Sequence, residues 1–145
     1  YIIMATLSDA CEEAYANVRD DNNETNWVFL QYTSNKDIDV GASGSGGVDE
    51  LAANFSDDMC GFGYVRITTG DAESRRAKFV LIGWTGDNAK VMQKAKMSVH
   101  KANVKEVFRE FAIELLASDA EDLDPEQVKN AVVKAGGANY MGQSA

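Results

Sequence analysis

Leu7, Ala10, Cys11, Ala14 and Val18 recur at three- and four-residue spacing and predict a helix that closes near Arg19. Ahead of them, Thr6-Leu7-Ser8-Asp9 has the form of a capping box, with Thr6 accepting from the first free amides and Asp9 near the positive helix end. The polar run "DDNNET" ends this pattern. Trp27 to Tyr32 is aromatic and β-branched and reads as a strand; "TSNKD" is a turn, and Ile38 to Ala42 a second strand. "GASGSGG" links this hairpin to a short helix, 48–55, in which Val48, Leu51, Ala52 and Phe55 share a face. Phe62 to Thr68 reads as a third strand, followed by a turn over 69–74 with Gly70-Asp71. The fourth strand, Lys78 to Trp84, is apolar enough to be central and covered on both faces.

A long helical pattern then runs from Ala89 to about Glu110. On an ideal wheel Lys90, Lys94, Lys101 and Lys105 fall at about 0°, 40°, 20° and 60°, a single stripe. Val91, Ala95, Val99 and Ala102 form an adjoining apolar stripe at roughly 100° to 180°. Phe111 to Ala117 reads as a fifth strand. Asp124-Pro125-Glu126-Gln127 starts the last helix, with Asp124 as cap and Pro125 in the first turn. Gly136-Gly137 is expected to stop it, leaving residues 141–145 as a flexible tail. The pattern is that of one α/β (α+β) domain over 4–140, with helices around a mixed sheet of five to six strands. Residues 1–3 are expected to be a cloning remnant ahead of Met4.

Composition changes this picture little, but charge changes it more. The 145 residues carry 23 acidic and 14 basic side chains, net −9, which argues against general nucleic-acid binding through phosphate neutralisation. No run approaches the ~20 apolar residues that span a bilayer, so no stable membrane insertion is expected. Two cysteines suit a reducing compartment, and the protein is expected in the cytoplasm. Between Arg75 and Arg109, however, nine basic residues face two acidic ones, net +7, while the remainder of the chain is net −16. Solvated helices usually intersperse charge signs, because like charges four residues apart repel. A nearly all-cationic stripe fits a surface that an acidic partner neutralises.

Other signals carry less. "GASGSGG" lacks the Lys-Ser/Thr ending of a phosphate loop, and Asp49 and Glu50 at its mouth would repel phosphate, so it reads as a flexible connector. His100, the single histidine, has no carboxylate at helical contact spacing to orient it and reads as an exposed helix residue. Neither cysteine has metal-ligand spacing, and the acidic run Asp119 to Asp124 lacks the regular spacing of a calcium loop. No catalytic residue, cofactor site or metal site is expected.

"NVRDDN" (17–22), "VRITTGDAESRRAKFVLIGWTGDN" (65–88), "VKEVFREFA" (104–112) and "KAGGANY" (134–140) together carry a family resemblance. The chain from Met4 onward resembles the actin-depolymerising factor/cofilin homology (ADF-H) domain family, and within it the coactosin subfamily; "MQKAKMSVHK" (92–101) is similar to the family's long actin-facing helix. The resemblance implies a mixed sheet sandwiched by helices and a non-catalytic protein, by expectation a monomer, that binds actin filaments (F-actin) of the cytoskeleton without severing them and opposes their capping. It implies an actin-binding role for Lys78 and Arg76 and, on the long helix, for Lys94, Lys96 and Lys101; charge clustering adds Arg75, Lys90 and Lys105. Two alternatives stand beside it. One is an anionic-lipid module for phosphoinositide headgroups, although no exposed Trp/Phe/Leu face for insertion is visible. The other is a cofilin-like binder of monomeric actin (G-actin) as well as filaments.

Overall fold

The computed structural model describes residues 3–70 and 74–144, with side chains described up to residue 136. Its elements run in the order β1 (Thr6–Leu7), α1 (Asp9–Arg19), β2 (Trp27–Tyr32), β3 (Asp37–Gly44), α2 (Gly47–Ala52), β4 (Cys60–Thr69), β5 (Arg76–Thr85), α3 (Val91–Val107), β6 (Ile113–Ala117), a 3₁₀ turn (Ala120–Leu123) and α4 (Pro125–Ser144). The strands form one sheet in the order β1-β3-β2-β4-β5-β6. β1 pairs parallel to β3 and β6 parallel to β5, while the middle pairs are antiparallel. The mixed sheet of five to six strands read from the pattern is thus six-stranded.

Two cores lie on opposite faces. Cys11, Val18, Leu30, Phe62, Tyr64, Leu81, Met97, Val104 and Phe108 join α1 and α3 to one face. Trp27, Phe29, Leu51, Val65, Val80, Ile82, Trp84, Leu123, Val128 and Val132 join α2 and α4 to the other. β5 supplies both, since Phe79 and Leu81 pack toward α1 and α3 while Val80, Ile82 and Trp84 pack toward α4. That alternation is what makes its apolar run continuous.

Several boundaries move. Thr6 does not cap α1: it lies in β1, opposite Asp37, and Ser8 stands at the cap position with its hydroxyl donating to Asp39 Oδ1 at 2.5 Å. A backbone pairing partner outcompetes the local cap. Half of "GASGSGG" is strand rather than connector, because β3 continues to Gly44 opposite Trp27. Gly41 lies where the Phe29 ring would stand 2.7 Å from an added Cβ, and Gly47 takes a left-handed φ of 75° to open α2. Gly136-Gly137 does not stop α4, which continues over the expected tail to Ser144. Gly136 lacks the positive φ with which a glycine closes a helix. Asp124 does cap α4, accepting from the Gln127 amide at 3.2 Å.

The largest correction concerns His100, which is fully buried, not exposed. Met97, His100, Asn103 and Val104 turn inward from α3. The imidazole Nε2–H donates to the Ile3 carbonyl at 2.8 Å, so Nδ1 accepts from the Tyr32 hydroxyl, also at 2.8 Å. Asn103 Oδ1 accepts from the Ala5 amide at 2.9 Å. These two polar side chains fasten the segment ahead of β1 to the inner side of α3. His100→Leu should therefore lower stability by about 1–3 kcal/mol, because two buried polar groups lose their partners. Tyr32→Phe should cost less, about 0.5–1.5 kcal/mol. Urea midpoints of the three proteins check this ordering.

Candidate functional site

α3 carries the chemistry because its burial is rotated away from its aliphatic stripe. Measured from Lys90, the inward residues Met97, His100, Asn103 and Val104 fall at about 220° to 340°. Val91, Ala95, Val99 and Ala102, the apolar stripe, all face solvent. Val91 is 82% and Met92 61% exposed, large values for residues of this type. The helix thus satisfies its inner face partly with polar groups and leaves an aliphatic surface uncovered. Sequence periodicity showed this stripe but not that it points outward.

The lysines separate into distinct environments. Lys101 and Lys105, one turn apart, both reach across to Glu114 on β6, at 3.1 Å to Oε2 and 2.6 Å to Oε1. Lys105 Nζ also lies 5.8 Å from the centre of the Phe111 ring. Burial alone would raise the Glu114 carboxyl; the ammonium groups of Lys105 and Lys101 outweigh it and hold the group below the usual carboxylate range. Two of the four stripe lysines, expected to be uncompensated, therefore share one carboxylate, which offsets a single unit of the stripe's charge. Lys94 Nζ donates only to the Asp87 carbonyl, at 3.1 Å. Lys90 stands exposed at the cap position of α3, and Lys96 lies off the stripe at about 240°. Beyond Lys101, Leu116 is 68% exposed beside a groove of about 230 Å³ between α3 and β6, lined by Thr85, Lys94, Met97, Ser98 and Lys101.

Arg75, Arg76 and Lys78 sit elsewhere. Arg76 opens β5 opposite Thr69, and Lys78 is opposite Ile67. By strand alternation Arg76 and Lys78 share the face of Val80 and Ile82, the α4 side, whereas α3 covers the other face. They also lie at the opposite end of β5 from Thr85, where α3 begins; ten residues of strand span about 30 Å. The strand-end cations thus lie far from Lys90 and Lys94 at the start of α3, whereas the segment after the helix returns to β5 at Phe79, whose carbonyl accepts from the Ala112 amide at 2.7 Å.

A third arginine that periodicity could not flag joins the strand-end patch. Arg66 on β4 donates to the carbonyls of Asp20, Asn23 and Thr25 at 2.8, 2.8 and 2.9 Å. These contacts fix its guanidinium beside Arg75 and Arg76 around a hollow of about 410 Å³ that Asp21, Asn26 and Thr68 also line. Its position opposite Phe79 is a matter of strand register, which no local signal reveals. Among the described residues no group of three or more His, Cys, Asp or Glu is arranged to hold a metal ion, and both cysteines are free and buried.

Residues 4–133 match the family described as cofilin/tropomyosin-type actin-binding protein. Coactosin-like protein of Bos taurus is 43% identical over 143 residues, which cover 97% of this chain and 99% of that protein. The crystal structure of human coactosin-like protein superposes with a TM-score of 0.83 at 37% identity, covering 90% of this chain and 98% of the other. The solution structure of mouse coactosin, an actin filament binding protein, gives a TM-score of 0.76 at 38% identity over 99% of this chain and 100% of the other. With its sheet order, its two helical layers and these full-length similarities, the chain belongs to the cofilin/tropomyosin-type actin-binding protein family, in its ADF-H fold.

Proposed function

We propose that this protein is a non-catalytic, coactosin-like side-binder of actin filaments that decorates and stabilises them, or opposes their capping, without severing. The observation that carries this reading is the uncovered aliphatic stripe of α3, Val91, Ala95, Val99 and Ala102, rimmed by Lys90 and Lys94. An apolar strip with a cationic rim suits a groove on an acidic protein: burial of the strip supplies affinity, and the rim supplies steering and orientation. Arg75, Arg76 and Lys78 add a second contact from the far end of β5. Co-sedimentation with filaments is the direct test, with monomeric actin in parallel to separate a filament binder from one that takes both forms. The predicted place of action is the actin cytoskeleton, as a monomer; no helix among the described residues is long and apolar enough to cross a membrane.

The hollow formed by Arg66, Arg75 and Arg76 favours a second reading, an anionic-lipid module that grips phosphoinositide headgroups. Co-sedimentation with phosphoinositide-containing liposomes, set beside filament co-sedimentation, separates the two.

The non-severing mode draws on α1. Asp9, Glu12, Glu13, Asp20 and Asp21 are all exposed on or just after that helix, and α1 packs beside α3. Arg19, the one cation there, is itself exposed, with its guanidinium 4.6 Å from the Phe79 ring centre, and is outnumbered by the five acids. An acidic flank next to the contact helix would repel actin rather than extend the grip. Single-filament fluorescence microscopy should show filaments that keep their length at sub-saturating occupancy; frequent breakage would count against this mode.

Two further outcomes follow from the charge distribution. Filament binding should weaken steeply between about 0.05 and 0.3 M salt, because exposed charges are screened over ~10 Å at 0.1 M. Lys78→Glu should reduce binding at least about tenfold, equivalent to ~1.4 kcal/mol. The same variant should melt close to the parent by circular dichroism, since Lys78 lies at the open end of β5 and outside both cores.

A further inference from the structure

We propose that Glu114 is a resident counterion that withholds Lys101 and Lys105 from acidic partners, so that this one carboxylate sets how much of the basic helix a filament can use. The proposal rests on the filament-binding reading for its biological partner, but its electrostatic content can be tested without actin. Glu114 stands on β6 in register with Leu81 of β5, one strand over from the centre of the α3 face. Its side chain is only 22% exposed. Each carboxylate oxygen meets a different ammonium, Oε1 that of Lys105 and Oε2 that of Lys101. The Lys101 contact is an ion pair more than an aligned hydrogen bond, since Oε2 is buried and makes no hydrogen bond of good geometry. No other carboxylate among the described residues ion-pairs with α3's stripe lysines.

The arrangement works against an incoming anion in two ways. Both ammonium groups are drawn down toward β6, away from the solvent-facing strip of Val91, Ala95, Val99 and Ala102. A partner carboxylate that captured either lysine would also leave Glu114 shielded, charged and short of a counterion, beside a second negative group; removing one member of a shielded pair costs more than the pair contributes. Filament contacts are thereby biased to the N-terminal half of α3, where Lys90 and Lys94 have no carboxylate partner among the described residues and where Val91 and Met92 are most exposed. Because the lysines hold the Glu114 carboxyl low, this restraint persists at neutral and mildly acid pH. It is a standing setting of affinity and of which part of the helix docks.

The test is Glu114→Gln, which keeps the side-chain volume and an oxygen acceptor but removes the charge. Glu126→Gln, an exposed acid in the first turn of α4, serves as the charge-matched control. Filament affinity of Glu114→Gln should rise about three- to tenfold over the parent, with a steeper dependence on salt, while Glu126→Gln changes it less than about twofold. The triple variant Glu114→Gln/Lys101→Gln/Lys105→Gln should lose the whole gain, because the released lysines are its source. Thermal melts of all variants monitor the fold. A Glu114→Gln protein that melts like the parent and binds filaments no more tightly overturns the proposal, as does a triple variant that retains the gain. Elution from immobilised heparin gives the arm independent of actin. There Glu114→Gln should elute at clearly higher salt than both the parent and Glu126→Gln, and equal elution of the two single variants overturns the proposal. A heparin shift in a protein that ignores filaments would sustain the counterion role of Glu114 and remove the filament reading alone.

Discussion

The antiparallel ladder between β4 and β5 is the constraint from which the rest of the molecule follows. Ten residues pair without interruption, from Cys60 opposite Thr85 to Thr69 opposite Arg76. At its middle, Val80 to Ile82 are buried on both faces, so neither strand can slip by one residue without exchanging the two cores. Tyr64 extends this hold to the next crossover: its hydroxyl donates to the Glu110 carbonyl at 2.5 Å, its ring stacks on Phe79, and Tyr15 accepts from the Glu110 amide at 3.2 Å. These contacts fix the turn between α3 and β6. With both ends of α3 tied to β5 and β6, the rotation of the helix about its axis is settled, and with it the surface it shows.

That rotation is what leaves the aliphatic stripe of α3 uncovered. A helix that buried its valines would present only lysines and would have little apolar area to contribute. Here His100 and Asn103 occupy inward positions instead, at the cost of needing partners, and the Tyr32 hydroxyl, the Ile3 carbonyl and the Ala5 amide supply them. Buried polar groups of this sort are tolerated only when satisfied. The same segment that satisfies them continues into β1, which closes the far edge of the sheet against β3. The edge of the sheet and the orientation of α3 therefore share one set of hydrogen bonds.

Charge is organised by the sheet as well. A stretch with a net charge of +7 in sequence divides between the open end of β5 and the length of α3, where Glu114 offsets one unit of charge between Lys101 and Lys105. The acidic remainder is not uniform background either: Glu12 lies 3.6 Å from Arg109, though both are more than half exposed and such pairs contribute little. Counting charges along the chain identified the basic region, but overstated how much of it lacks a counter-charge.

Local pattern alone determined the fold class, the β5 strand as a doubly covered centre, the Asp124 cap and the existence of a basic stripe. Each rests on interactions between residues close in sequence, or on periods that any helix or strand imposes. The family resemblance likewise sat in contiguous stretches such as "VKEVFREFA". Only the tertiary structure decided that Thr6 is strand and not cap, that His100 is buried, that Val91 and Val99 face solvent, that Arg66 joins Arg75 and Arg76, and that Glu114 takes two lysines. All five depend on partners between 9 and 97 residues away, namely Asp37, Ile3, the packing of α3 on the sheet, the 20–25 loop and the β6 register. A helical wheel ranks faces by composition, but which face turns inward is set by the strands beneath it, and those are assembled from the whole chain.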